Sequence, residues 1–309
     1  RPIAKMSVRL ILCCVIAFSI VVMQSSGLSP NVAGWKQSER NFAKSITSRV
    51  RATLDEAGVL DVERPIKIKA ERLDTNAEQH PIEDTTSDSK VITKIVHFQR
   101  HAQGYHNLIG EMHRENGMDI DFDSTDPSKN PFVRPEIVDS PLTETGRQQS
   151  LARQEQASLL NPEVIIVSPL CRTIQTALLS FTNHQGGQIP WIAHEGCREE
   201  LGLLICNKRR NLSQTKAEFP QIDFGLVASE EDSLFHPTKR ESHMEKSERA
   251  YKFLTDFVRT RPEKEMAVVS HSAYLFNMCN AVIDCGDDEE LKSWFLTSEI
   301  RSMRLTFEC

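Results

Sequence analysis

Short, unbroken apolar runs separated by amphipathic stretches organise the later two thirds of the chain. "VITKIVHF" (91–98), "EVIIV" (163–167) and "EMAVVS" (265–270) are rich in β-branched residues. Runs of this kind suit strands buried on both faces of a parallel sheet. "GQIPWIAH" (187–194) is a fourth candidate, interrupted by Pro190. "RSMRLTFE" (301–308) alternates and predicts an edge strand. Helical spacing fills the intervals. Thr143 is placed to N-cap "ETGRQQSLARQEQASLL", and "LCRTIQTALLSF" (170–181) and "SHMEKSERAYKFLTDFVR" (242–259) follow. Strand alternating with helix predicts an α/β fold. Its form is a three-layer sandwich, with a mostly parallel central sheet and helices on both faces.

The first part of the chain reads differently. Residues 31–60 look helical and polar, and 71–90, "ERLDTNAEQHPIEDTTSDSK", have the composition of a linker. The opening residue is Arg1, and Met6 is a candidate start. A basic "SVRL", a short apolar "ILCCVIAFSIVVM" and a polar "QSSGLS" then resemble a signal peptide. The apolar run is short for a membrane span. The expected organisation is a leader at 1–28, a polar helical segment and linker at 29–90, and a catalytic domain at 91–309. The leader predicts the secretory route or an organelle, with the cytoplasm as the alternative. Membrane contact is expected only through an uncleaved leader.

Composition narrows the function. The chain has 309 residues, 39% hydrophobic and 26% charged, with a net charge of -6. That balance suits a globular protein and argues against general nucleic-acid binding, which needs a basic surface. Eight cysteines occur; outside the leader they are Cys171, Cys197, Cys206, Cys279, Cys285 and Cys309. They match no zinc spacing. Cys197 with Cys206 and Cys279 with Cys285 are near enough to pair in an oxidising compartment, and free buried thiols are the equal alternative.

The chemistry lies where the apolar runs end. The first ends at Arg100-His101, the second at "SPLCR" (168–172), the third at "SHS" with His271. Ligands of open parallel sheets bind at the carboxyl ends of the strands. Two arginines and two histidines can therefore converge from three distant segments, beside helix N-termini that add partial positive charge. The ligand this predicts is a tetrahedral oxyanion, with a phosphoryl group leading, because the arginine fork binds it bidentately. Neutral imidazole is a nucleophile toward phosphorus, and neighbouring arginines keep it neutral. Arginine and histidine supply the charge, so the reading calls for no metal and no cofactor. "HEGCREELG" (194–202) offers Glu195, Glu199 and Glu200 as acids for the leaving oxygen.

"RHAQGYHN", "LTETGRQQ", "SPLCRTIQTA", "CREELG" and "VVSHSAYL" together resemble the histidine phosphatase superfamily. That superfamily has the phosphoglycerate mutase-like fold, and the nearest likeness is to mutase-like proteins of plants and fungi. The resemblance spans roughly 91–309, as five segments in the same order. It implies that His101 is the nucleophile that becomes phosphohistidine. Arg100, Arg172 and His271 complete the phosphate pocket, Asn107 helps to bind phosphate, and Glu199 is the proton donor. Thr143 and Gly146 shape the neighbouring helix start. Three departures stand out. Ala102 and Ser272 replace the usual glycines after the two histidines, and related proteins carry Cys-Asp where this chain has Cys206-Asn207.

The expected reaction is metal-independent hydrolysis of a phosphomonoester. The alternatives are phosphoglycerate mutase-type transfer at the same site and a non-catalytic phosphate-binding module. Family mutases close over the site with further C-terminal residues, and this chain stops soon after its last strand, so hydrolysis is the preferred reading. Gln103, Arg209 and Arg210 are candidate contacts to the rest of a small phosphorylated substrate, and His106 could line the pocket. Sugar phosphates, nucleotides and phosphoproteins all fit, and nothing signals an oligomeric state. His97 is expected to be a satisfied core histidine. His194, His236 and His243 lack metal-ligand spacing, and "DCGDDEE" (284–290) reads as a solvated loop. "NLS" (211–213) is a glycosylation acceptor by sequence, close to Arg209 and Arg210.

Overall fold

A computed structural model describes residues 32–73, 91–187 and 189–309. The leader and most of the expected linker lie outside the described residues. The chain divides into two units, 1–42 and 43–309. Of the first, only the opening of helix α1 (Val32–Glu56) is described. The second holds the sheet. Its elements begin with β1 (Lys67–Leu73), β2 (Val91–Arg100), α2 (Tyr105–Glu115), α3 (Glu144–Leu151), α4 (Gln154–Ser158), β3 (Val164–Val167) and α5 (Cys171–Ser180). They continue with β4 (Trp191–Ala193), α6 (Leu212–Glu218), α7 (His243–Lys252), β5 (Glu265–Ser270), α8 (Ser272–Ala281), α9 (Glu289–Lys292) and β6 (Ile300–Glu308).

Six strands form one sheet in the order β1-β6-β2-β5-β3-β4. β2, β5, β3 and β4 run parallel, and β6 runs antiparallel to both neighbours. Alternation within each strand sends side chains to two cores. Val96, Phe98, Val164, Ile166, Met266 and Val268 face α7 and α8, through Ala250, Leu275 and Met278. Ile165, Val167, Ala267 and Val269 face α4 and α5, through Ala157, Ile174 and Ala177. Helices thus cover both faces, as the unbroken apolar runs predict, and the fold is a three-layer α/β sandwich. On its outer side α8 carries a third cluster, in which Phe276 and Trp294 meet Ala43, Leu54 and Val59.

The sheet differs from expectation at one edge. β6 was expected to be the edge strand, but it is interior, between β1 and β2. The edge is β1, whose last residues fall within the expected linker, so the sheet reaches back ahead of Val91. β1 reads "KIKAERL", and only Ile68 in it is fully buried. Charged side chains suit an unpaired edge, and they also disguise the strand. Two expected helices are also modified. The one after Thr143 breaks into α3 and α4, and α7 passes into a π-helical turn at Phe253–Val258. His97 is a satisfied core histidine, bonded to Ser302 at 2.8 Å and Glu265 at 2.9 Å. The six described cysteines are free thiols, five of them buried, so neither candidate pair is a disulfide here.

Candidate active site

β2, β5 and β3 are adjacent and parallel, so their carboxyl ends share one edge. His101 directly follows β2, His271 follows β5, and Arg172 is the second residue of α5, after β3. His101, Arg172 and His271 are all buried, at 1%, 0% and 0% exposure. The rings of His101 and His271 lie 5.1 Å apart.

Hydrogen bonds define the tautomers. His101 Nδ1 lies 2.7 Å from the Ala102 carbonyl, which can only accept. Nδ1 therefore carries the proton, and Nε2 presents a lone pair. His271 is the opposite case. Its Nδ1 lies 3.2 Å from Arg172 Nη2, a pure donor, so Nδ1 accepts and Nε2–H donates to Ser168 Oγ at 2.8 Å. Burial, followed by the positive charge of Arg172, pushes both rings well below the ordinary histidine value. Both are neutral at pH 7.

Arg172 is held from behind. Nη1 donates to the Cys206 carbonyl at 2.8 Å, and Nη2 to Asn207 Oδ1 at 2.9 Å. Its Nε is buried with no hydrogen-bond partner. Arg100, at the end of β2, donates through Nη1 to the Phe295 carbonyl at 2.8 Å and adds positive charge near His101.

A third histidine joins the group. His106, on α2, has its ring 5.3 Å from that of His101, and its Nδ1 meets Ser140 Oγ at 3.0 Å. Burial, then Arg172, also lowers its pKa well below the usual value. Gly104 makes the room, since a Cβ there would lie 2.7 Å from His106 Nδ1. The five-residue step from His101 to His106, with glycine between, is the sequence signal for this ring.

The three carboxylates after β4 separate by their partners. Glu195 pairs with Arg198 and Arg209. Glu200 pairs with Lys246 and Arg240, each at 2.6 Å. Burial opposes its ionised form, but these two cations hold its pKa down at about 2. Of the three, Glu199 alone makes no ion pair among the described residues. It caps α8, accepting from the amides of Tyr274 at 3.0 Å and Ala273 at 3.3 Å. It thereby stands at the helix start that follows His271.

Other expected contacts are turned to structure. Arg209 is buried, and its guanidinium is saturated by Glu195 and the carbonyls of Ser229, Glu230, Glu231 and Arg210. No donor is left over for a substrate. Arg210 bridges Asp139 at 2.9 Å and Glu218 at 2.7 Å. Asp139 in turn caps α5, accepting from the Cys171 amide at 2.7 Å. Gln103 is a clamp, receiving a hydrogen bond from Thr143 Oγ1 at 2.7 Å and donating to Glu111 at 3.1 Å. Asn107 Oδ1 accepts from the Gly104 amide at 3.0 Å, so it fixes the loop after His101.

The family model described as "Histidine phosphatase superfamily (branch 1)" matches residues 135–296, just over half of the chain. The chain belongs to that superfamily. Among curated relatives, a "Phosphoglycerate mutase-like protein" of Arabidopsis thaliana is 34% identical over 242 residues. That alignment covers 68% of this chain and 83% of the relative. "Phosphoglycerate mutase-like protein 1" of the same plant is 35% identical, covering 68% of this chain and 80% of its own length. A solved mycobacterial glucosyl-3-phosphoglycerate phosphatase is 18% identical, with a TM-score of 0.36, covering 60% of this chain and 79% of that one. Membership supports phosphoryl transfer, as a phosphatase or a mutase.

Proposed function

We propose that the protein is a metal-independent phosphomonoesterase working through phosphohistidine on His101. The observation that carries this is a neutral, buried His101 with a free Nε2 lone pair, set among Arg100, Arg172 and His271. In this reading Nε2 attacks phosphorus in line and the P–O bond to the leaving alcohol breaks. Glu199 delivers a proton to that oxygen. Water then attacks phosphohistidine, giving its proton to Glu199, and releases phosphate and neutral His101. Arg172 Nε and Arg100 bind the equatorial oxygens, whose charge grows in the transition state. His271 turns its Nε2–H from Ser168 to a phosphate oxygen, and Asn107, anchored through Oδ1, offers Nδ2. The substrate is a small phosphorylated molecule, and the leader directs the enzyme to the secretory route or an organelle.

Hydrolysis is the preferred reading because Glu199, the group that takes the proton of the attacking water in this scheme, is only partly buried. The names of the plant relatives support the mutase as the second reading. Phosphate release from an aryl phosphate in EDTA, for wild type and His101→Ala, tests the proposal. Release that survives EDTA and is lost by at least about 10³-fold in the variant is the expected result. Isomer formation from a phosphoglycerate without net release supports the mutase instead.

A further inference from the structure

Among the described residues, the most deeply buried arginines are Arg172, Arg198 and Arg209. Two of them have carboxylate partners, Arg198 with Asp232 at 2.6 Å and Arg209 with Glu195 at 3.1 Å. That is the rule for buried charge. Arg172 breaks it. Its partners among the described residues are a carbonyl, a carboxamide and a neutral imidazole. No carboxylate touches it, and its Nε has no partner at all. Burial disfavours its charged form, and Glu199 and Asp139 favour it from a distance without pairing with it, so an anion at Nε would complete the compensation.

The carboxamide belongs to Asn207, itself 4% exposed. Its orientation is fixed, because Nδ2 donates to the Glu200 carbonyl at 2.9 Å and so Oδ1 must face Arg172. Its own carbonyl accepts from Arg198 Nη2 at 2.7 Å, which anchors the backbone. With the Cys206 carbonyl, it grips both terminal nitrogens of Arg172 and leaves Nε as the donor without a partner.

We propose that Asn207 is a positioning residue whose neutrality matters as much as its reach: it aims Arg172 without cancelling its charge, so that the charge is kept for the phosphoryl group. This rests on the reading of the pocket as a phosphate site. Related proteins often carry aspartate at this place; in this chain an aspartate would accept the same hydrogen bond and also pair with the guanidinium, so the asparagine leaves Arg172 more of its charge for an anion than an aspartate would. Stability and affinity should therefore move in opposite directions, which a merely structural role would not produce.

The test is calorimetric binding of inorganic phosphate to the full chain, alongside thermal melting, for wild type, Asn207→Asp and Asn207→Leu. We expect Asn207→Asp to melt no lower than wild type and to bind phosphate at least about tenfold more weakly. Asn207→Leu, which removes the acceptor without adding charge, should also weaken phosphate at least about fivefold through lost aim. Unchanged affinity in either variant overturns the inference, as does an aspartate variant that loses affinity only as it loses stability. Should the aspartate variant not fold, the leucine variant decides. A wild type that binds no phosphate overturns instead the phosphate-site reading on which the inference rests.

Discussion

At the scale of single residues, the convergence of the candidate residues is legible where each sits at the end of one of the chain's own short segments. Arg100-His101, Arg172 and His271 each end an apolar run, and a parallel sheet brings such ends together. What could not be read was the partner of each charge. Arg209 and Arg210 look like substrate contacts in "CNKRR". Yet the acceptors that occupy them come from residues 195, 218, 229–231 and 139, which only tertiary folding brings near. Glu199 could be preferred to Glu200 on local context, but the reason Glu200 is occupied is Lys246, 46 residues on. Arg209→Ala should therefore act mainly on stability. It takes away one of the two arginines that pair with Glu195 and the guanidinium donor of four carbonyls, and a loss of about 3 kcal/mol in urea unfolding is expected, with KM for an aryl phosphate changed less than threefold in protein that remains folded. A large KM effect with unchanged stability would restore Arg209 as a substrate contact.

The same scale carries a pH prediction. His101, His106 and His271 all have folded pKa values well below 6.5, from burial and then Arg172. The unfolded chain binds protons to these rings near pH 6.5, and the folded chain does not. Their contribution to stability is present above pH 6.5 and is lost as pH falls toward the folded values. Each ring accounts for at most about 1.4 kcal/mol per pH unit in that window. Histidine ¹⁵N spectra should show His101 still neutral at pH 6, and unfolding free energy should drop between pH 7 and 5.5. A His101 midpoint near 6.5 would contradict the buried, arginine-flanked environment.

At the scale of elements, two joints set the loop that follows His101. Thr143 caps α3 by accepting from the Gly146 amide at 3.0 Å, while its own amide and hydroxyl donate to Gln103. The helix start and the loop after His101 are thus one unit. Gly146 allows the approach, since a Cβ there would lie 2.1 Å from the Gln103 carbonyl oxygen. Two effects of Gly146→Ala compete. Helix propensity favours alanine by about 1 kcal/mol. A backbone clash at that distance cannot be relieved by rotating a side chain, and overpacking of this kind costs about 1–3 kcal/mol. The clash should win. A lower unfolding midpoint is expected, with kcat reduced as the loop shifts. A stabilised, fully active variant would show that α3 and the loop move independently. Sequence pattern found this cap, because Thr143 opens a helical period. It missed the break between α3 and α4, for which the structure offers no evident physical cause.

At the scale of the whole molecule, the parallel strands and the existence of β6 were legible, whereas β1, and with it the interior place of β6, was not, for one physical reason. β2, β3 and β5 are buried on both faces and so read as apolar runs. β1 lies at the edge and keeps lysine, arginine and glutamate, so it resembles linker. The consequence is testable by where the chain is cut. A protein spanning 91–309 would leave β6 without the seven-residue β1 pairing and would uncover Phe276 and Trp294, which pack on Ala43, Leu54 and Val59. Exposing an unpaired strand beside an apolar surface invites aggregation. We therefore expect 43–309 to fold as a monodisperse, cooperatively melting protein, and 91–309 to aggregate or to melt at markedly lower temperature, by light scattering and calorimetry. Equal melting of the two would mean that β1 and the adjoining helix are accessories. In that event the sheet edge that matters for stability would be β6 itself, as the alternation of "RSMRLTFE" first suggests.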